Sequence, residues 1–469
     1  MKEVPGKTPA ERIVQPFQRF LHTEASGGIL LLAAALVALL WANSGWSQSY
    51  TELWKKTMFS IGFGGLSIAH PLYWWVNDGL MALFFFVVGL EIKREVLLGE
   101  LASPRQAILP VAAAVGGMLV PAGLYVALNA SGEGAGGWGI PMATDIAFAI
   151  GILSLLGRRV PLALKVFLTA LAIADDLGAV LVIALFYTAK VSLQGLAIAA
   201  GALVFLVIMN RLHVRNTIPY LIGGIVLWFG FVISGVHPTV GGVLAALTIP
   251  ARQRIDIDQF LHMGRHAIDD FGADQTRGSD SLPSAVQRDA LDRLDRAGTA
   301  VEMPMRRLED SLHPWVSYLI MPLFALANAG VAIGPDLSAV ATDPAALGIL
   351  AGLVLGKPIG IVLLSWVAVR LNLAELPGVS WPAILGAGCL AGMGFTMSIF
   401  IAGLAFGSDA ELLDTASSPF SVRPRSPERS VPWCSSRRRD ATLRPPPAEG
   451  GSTGKNRGVG WPGGAMSPS

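Results

Sequence analysis

Two neighbouring carboxylates, Asp175 and Asp176, stand in the middle of an apolar run from Val160 to Tyr187 that is long enough to cross a bilayer as a helix. About fifteen Leu, Ile, Val and Phe residues in that run favour insertion by roughly 6 kcal/mol, and two ionised Asp near its centre oppose it by about 6 kcal/mol. Acids at membrane depth face a protein interior or a water-filled cavity, where they handle ions and protons or pair with a base. Three more polar elements fall inside apolar runs: Thr144-Asp145, which with Pro141 interrupts Trp138 to Leu156; Lys357, within Leu347 to Val369; and Gly392-Met393-Gly394, which breaks Trp381 to Phe406. Lys357 has no nearby loop toward which to snorkel, so it requires a buried anion.

The chemistry open to these residues is ionic. Consecutive helical residues point about 100° apart, so Asp175 and Asp176 cannot both face one partner; one holds the lysine while the other faces a cavity. Hard monovalent cations prefer oxygen ligands, and a carboxylate that binds either a proton or a metal ion makes the two compete. Competition combined with a change of access side is antiport. A broken helix survives in a bilayer only where protein or water meets its freed backbone groups. Two in one chain predict a crossing, with Asp145 balancing the positive amino ends and Lys357 countering the negative carboxyl ends or pairing with one of the acids. The plainer alternative for the two aspartates is a structural pairing with a base.

The elements that must position these groups follow from composition. The chain is 52% hydrophobic and 14% charged, with mean hydropathy +0.55, which excludes a soluble globule and predicts an all-α polytopic membrane protein. Its two cysteines, Cys389 and Cys434, form no disulfide or zinc framework, and a net charge of +2 spread over loops and tail gives no nucleic-acid footprint. Residues 1–25 read as a polar amino-terminal segment, 26–250 as spans one to eight, 251–312 as a polar excursion, 313–407 as spans nine to eleven, and 408–469 as a basic tail predicted to be disordered. Between the first two spans, alternating Phe59, Ile61 and Phe63 before Gly64-Gly65 predict a β-hairpin near 56–68. Ser284 and Gln287 predict a capping box opening a short surface helix in the excursion.

Lys and Arg gather in alternate loops: Lys93, Arg94 and Arg105; Arg158 and Arg159; Arg211 and Arg215; and the excursion. The positive-inside rule therefore places the amino terminus in the cytoplasm. No phosphate-cradling GxxxxGK[ST] occurs, which argues against a nucleotide-driven pump.

Seven stretches, among them NDGLMALFFFVVGLEIKRE from Asn77, PMATDIAFAIGIL from Pro141, FLTALAIADDLGAV from Phe167, LGKPIGI from Leu355 and AGMGFTMSIFIAGLAF from Ala391, resemble the NhaA sodium/proton antiporters in content and order. The resemblance implies inverted repeats with broken, crossing fourth and eleventh spans, a bacterial inner membrane, no cofactor and no enzymatic activity. It implies that Asp175 and Asp176 bind sodium or lithium and exchange protons, with Lys357 the charge partner of Asp175 and Thr144-Asp145 at the crossing. By the same resemblance Asp78 lines the external route; Glu91, Arg94, Glu95, Glu309 and His313 mark the cytoplasmic entrance and pH response; His237 is a further residue linked to pH; and the hairpin joins a homodimer. Asp310 departs from the family pattern, and where a twelfth span is expected the text after Glu411 to Ala416 turns into an Arg/Pro/Ser tail, as an out-of-frame reading would. The rival functions are a sodium-coupled organic anion symporter, an inactive truncated antiporter and an intramembrane aspartyl hydrolase. The last needs acids on different helices facing one water, which adjacent aspartates do not supply.

Overall fold

The computed structural model describes residues 25–63, 66–130, 133–188, 191–253, 255–273, 284–331, 343–375 and 378–407. The amino-terminal segment, the Gly64-Gly65 turn and the basic tail lie outside them. Apolar helices dominate, because in lipid a helix satisfies its own backbone polar groups. The first, α1 (Ala25–Ala42), is followed after a 120° bend by α2 (Ser47–Thr51, extended through Glu52–Lys56). Strands β1 (Met58–Phe63) and β2 (Leu66–Pro71) then pair antiparallel from Met58↔Pro71 to Phe63↔Leu66. The hairpin thus runs three residues past the predicted 68, to where Leu72 begins the next helix.

Helix α3 spans 72–98, its main body being Met81–Leu98. Helix α4 (Pro104–Asn129) starts with Pro104 in its first turn and Ser103 as cap. A 3₁₀ segment, Glu133–Met142, leads to α5 (Ile146–Leu155), and α6 (Leu162–Phe186) carries the aspartate pair. Helices α7 (Leu193–Arg211), α8 (Thr217–Ser234) and α9 (Pro238–Thr248) follow; Gly235 ends α8 in the left-handed region at φ 82°, which a glycine tolerates without strain.

The polar excursion folds as α10 (Ile257–Ala273) packed on α11 (Ala285–Val301). The capping box is present: Ser284 Oγ accepts from Gln287 N (3.2 Å) and Gln287 Oε1 accepts from Ser284 N (3.0 Å). The helix it opens is 17 residues long rather than short, because apolar positions at helical spacing continue through Ala297, which is fully buried. Helix α10 escaped the sequence reading, in which its charged residues masked its single apolar stripe. Helix α12 (Pro304–Trp315) runs through a wider turn into α13 (Met321–Asn328); α14 (Pro344–Arg370), α15 (Trp381–Ala391) and α16 (Phe395–Phe406) complete the described chain.

Among the described residues six helices are long and apolar enough to cross a membrane singly, α4, α5 with its 3₁₀ lead, α6, α7, α8 and α14, and two bent pairs, α1 with α2 and α15 with α16, pass the same test together. Helices α4 and α14 run antiparallel in close contact: Gly116 lies opposite Gly360, Gly356 against Pro121, and Gly348 against Asn129. A Cβ on either Gly116 or Gly360 would fall 2.1 Å from the other's carbonyl oxygen, so here the two backbones touch. Elsewhere α7 packs on α8, α9 on α3, and α1 on α13 and α5.

Candidate functional site

The two interrupted helices meet at their breaks. Asp145 N donates to the Met393 carbonyl (3.1 Å), joining the unwound segments directly. Asp145 is also the cap of α5, its Oδ1 accepting from Phe148 N (3.0 Å), while its Oδ2 accepts from Thr396 N (3.2 Å) and from the Thr396 hydroxyl in the first turn of α16. One carboxylate, 1% exposed, therefore serves the positive ends of both resumed half-helices. The opposite ends have partners too. The Thr144 hydroxyl donates to the Ala391 carbonyl at the end of α15 (3.0 Å), and Lys357 Nζ donates to the Met142 carbonyl at the end of the 3₁₀ segment.

Lys357 Nζ donates as well to Asp175 Oδ2 at 2.6 Å, with both side chains buried. The two roles posed as alternatives for Lys357, countering a helix carboxyl end and pairing an acid, are thus held at once by one ammonium. Asp175 Oδ1 has no hydrogen-bond partner among the described residues. Asp176, one residue on and equally buried, makes no hydrogen bond or salt bridge among the described residues, and the charges of Asp175, Glu91, Asp145 and Lys357 are all within its electrostatic reach. The arrangement is a lysine hydrogen-bonded to one acid beside an acid that it reaches only through space.

A second group lies where α3 meets α12. Arg94 Nη1 donates to Glu309 Oε1, and Arg94 Nη2 stands 3.4 Å from Glu95 Oε1, whose other oxygen accepts from Glu100 N (3.1 Å). Glu309 Oε2 is buried without a partner, and burial outweighs the Arg94 guanidinium and holds the Glu309 carboxyl above its usual range. His313 is close enough to feel Asp310 and Arg94, and Glu91 to feel Glu309, Arg94 and Glu95. A cleft of ≈ 640 Å³ opens beside this group, lined among others by Arg94, Glu95, Glu302 and Arg306.

The third group joins two residues that the sequence named separately. His237 Nε2 stands 3.5 Å from Asp78 Oδ1, while its Nδ1 accepts from Thr239 N (3.4 Å) and so caps α9. Trp228 Nε1 fixes the backbone nearby by donating to the Asp78 carbonyl (2.9 Å). Thr396, the Met142 carbonyl and Trp228 were missed in the sequence. A signal existed for Thr396 alone, a small hydroxyl residue two places after Gly394, where the first turn of a resumed helix needs polar partners.

The chain matches the Na+/H+ antiporter 1 family over residues 18–418, ending where the Arg/Pro/Ser composition begins. It is 52% identical over 413 residues to the Na(+)/H(+) antiporter NhaA of Oleidesulfovibrio alaskensis, covering 87% of this chain and 92% of that protein. It is 49% identical over 411 residues to Na(+)/H(+) antiporter NhaA 2 of Sorangium cellulosum, covering 87% of each. To the Na(+)/H(+) antiporter NhaA of Acidithiobacillus ferrooxidans it is 48% identical over 400 residues, covering 84% of this chain and 91% of that one. With its antiparallel α4–α14 contact, its crossed broken helices and this similarity along most of its length, the chain belongs to the Na+/H+ antiporter 1 family, the NhaA antiporters.

Proposed function

We propose that this protein exchanges Na+ or Li+ for protons across a bacterial inner membrane by alternating access, with Asp176 and Asp175 as the ion site. The observation that carries the reading is the inequality of the adjacent acids: Asp175 is engaged by Lys357 at 2.6 Å, and Asp176 makes no hydrogen bond or salt bridge among the described residues. An uncompensated carboxylate at membrane depth is costly. Asp176 is relieved of that cost by a proton or by an alkali cation, one excluding the other. When the cation enters, Asp175 Oδ1, the oxygen Lys357 does not use, supplies a second ligand on the adjacent residue. Asp145 and Thr144 hold the crossing; Asp78 lines the external route; Glu91, Arg94, Glu95, Glu309 and His313 form the cytoplasmic entrance and its pH response; and His237, 3.5 Å from Asp78, is a further residue of the pH response.

The amino terminus is assigned to the cytoplasm by the Lys/Arg bias of the loops. The hairpin is assigned to a homodimer contact, since Met58, Phe59 and Ile61 on β1 are each about half exposed or more and a two-stranded sheet gains stability from further pairing. In everted membrane vesicles holding a pH gradient, adding Na+ or Li+ should collapse the gradient and K+ should not. Asp176→Asn, expressed at the same level, should abolish the response; full activity in that variant would refute the assignment.

A further inference from the structure

Helix α10 carries a pair of imidazoles that the exchange reaction does not use. His262 and His266 lie one turn apart on an exposed face. Their rings are tilted by 67° with centroids 4.5 Å apart, and their Nε2 atoms approach to 3.3 Å. The other side of α10 is the packed one: Gly264 and Ala267 are buried there, and a Cβ on Gly264 would meet Leu294 of α11. The pair therefore points into water.

Two arrangements give that approach. In a hydrogen bond one ring donates and the other accepts, and in open water such a bond contributes only about 0.5–1.5 kcal/mol, against the cost of ordering two exposed side chains. In a chelate both lone pairs face one ion. Zinc–imidazole bonds of about 2.0–2.1 Å at a tetrahedral angle put the two nitrogens about 3.3–3.4 Å apart, which is the separation seen. The i, i+4 spacing is that of the histidines in helix-borne HExxH zinc sites. Here, however, Met263 stands where those sites have their general-base glutamate, so the stretch carries ligands without hydrolytic chemistry. Asp258 and Asp269 lie one turn before and one turn after the pair, both exposed, yet no group of three potential ligands closes on an ion among the described residues. Water completes such a site, and binding there is exchangeable. Neutral imidazoles suit borderline-soft divalent ions, whereas alkali cations prefer oxygen.

The geometry points to a chelate site for Zn2+, Ni2+ or Cu2+ on α10, held by Nε2 of His262 and Nε2 of His266 and separate from the transport pathway. The test titrates Zn2+ and Cu2+ separately, by calorimetry, into the full-length tag-free protein in detergent. One equivalent of each should bind, Cu2+ the more tightly, and Cu2+ should show nitrogen hyperfine coupling from two imidazoles by electron paramagnetic resonance. His262→Gln and His266→Gln should each weaken binding by about tenfold or more, to a similar residual strength, while His70→Gln retains the parental affinity. Both residues are exposed, so unchanged helical circular dichroism is expected and separates lost binding from lost folding. Absence of binding, a one-nitrogen Cu2+ signal, or an equal loss in His70→Gln would overturn the assignment. Asp176→Asn should leave metal binding intact, so failure of the exchange reading and failure of this one are separable.

Discussion

The crossing and the group at the α3–α12 contact both combine acids with a base, and they differ in what holds them. At the crossing Asp145, Asp175 and Lys357 are no more than 2% exposed, and their partners are backbone ends as much as side chains. A charge fixed by main-chain dipoles on several sides cannot move without unwinding a helix. At the α3–α12 contact Arg94 is 34% exposed and Glu95 15%, Glu309 alone being buried, and the partners are side chains and the Glu100 amide. The difference is one of constraint: the inner group is pinned to helix ends, and the outer one, nearer the water's edge, can rearrange as its charges change. Glu91 spans the division, because it is within electrostatic reach of Asp176 on one side and of Glu309 on the other.

The largest test of this contrast is Lys357→Ala. It strands Asp175 in low dielectric and frees the Met142 carbonyl, and should cost about 3–5 kcal/mol, read as a lower melting temperature in detergent. Adding Asp175→Asn to it should restore part of that loss; an unchanged melting temperature in the single variant would remove the ion pair from the stability of the crossing. Next comes Thr396→Val, which deletes one charge-assisted hydrogen bond to Asp145 and leaves the backbone one. A loss of about 1.5–3 kcal/mol is expected, and none would mean that the α16 amide alone satisfies Asp145 Oδ2.

The smallest effect belongs to the outer group and is seen only against pH. The folded chain holds the Glu309 proton more tightly than the unfolded chain does, so stability declines as pH rises from the ordinary carboxylate range through the raised folded value. Glu309→Gln should flatten that decline; a steeper slope would place the burial penalty elsewhere.

Much of this was readable in the residues because the membrane makes polar groups conspicuous. An Asp or Lys inside an apolar run stands out at once, and so do Pro141 and Gly392-Met393-Gly394 as breaks. Asp145 as the anion of the crossing followed from helix polarity alone. What stayed hidden depended on long-range approach: that Lys357 holds a carbonyl and an acid together, that His237 faces Asp78 from a different helix, and that Thr396 shares the Asp145 carboxylate. None of these leaves a local pattern, since each joins segments more than a hundred residues apart. The pairing of α10 with α11 was hidden for another reason, because a helix with one narrow apolar stripe resembles a charged loop by composition.

Gly116 and Gly360 put main chain against main chain between the opposed halves. With no side chains between them the two main chains seat directly on one another, and a single added methyl on either would wedge them apart. The bare spot works as a keyway: the lysine's helix can seat against its neighbour only while both positions lack a side chain, so the depth at which Lys357 is presented depends on two missing methyls.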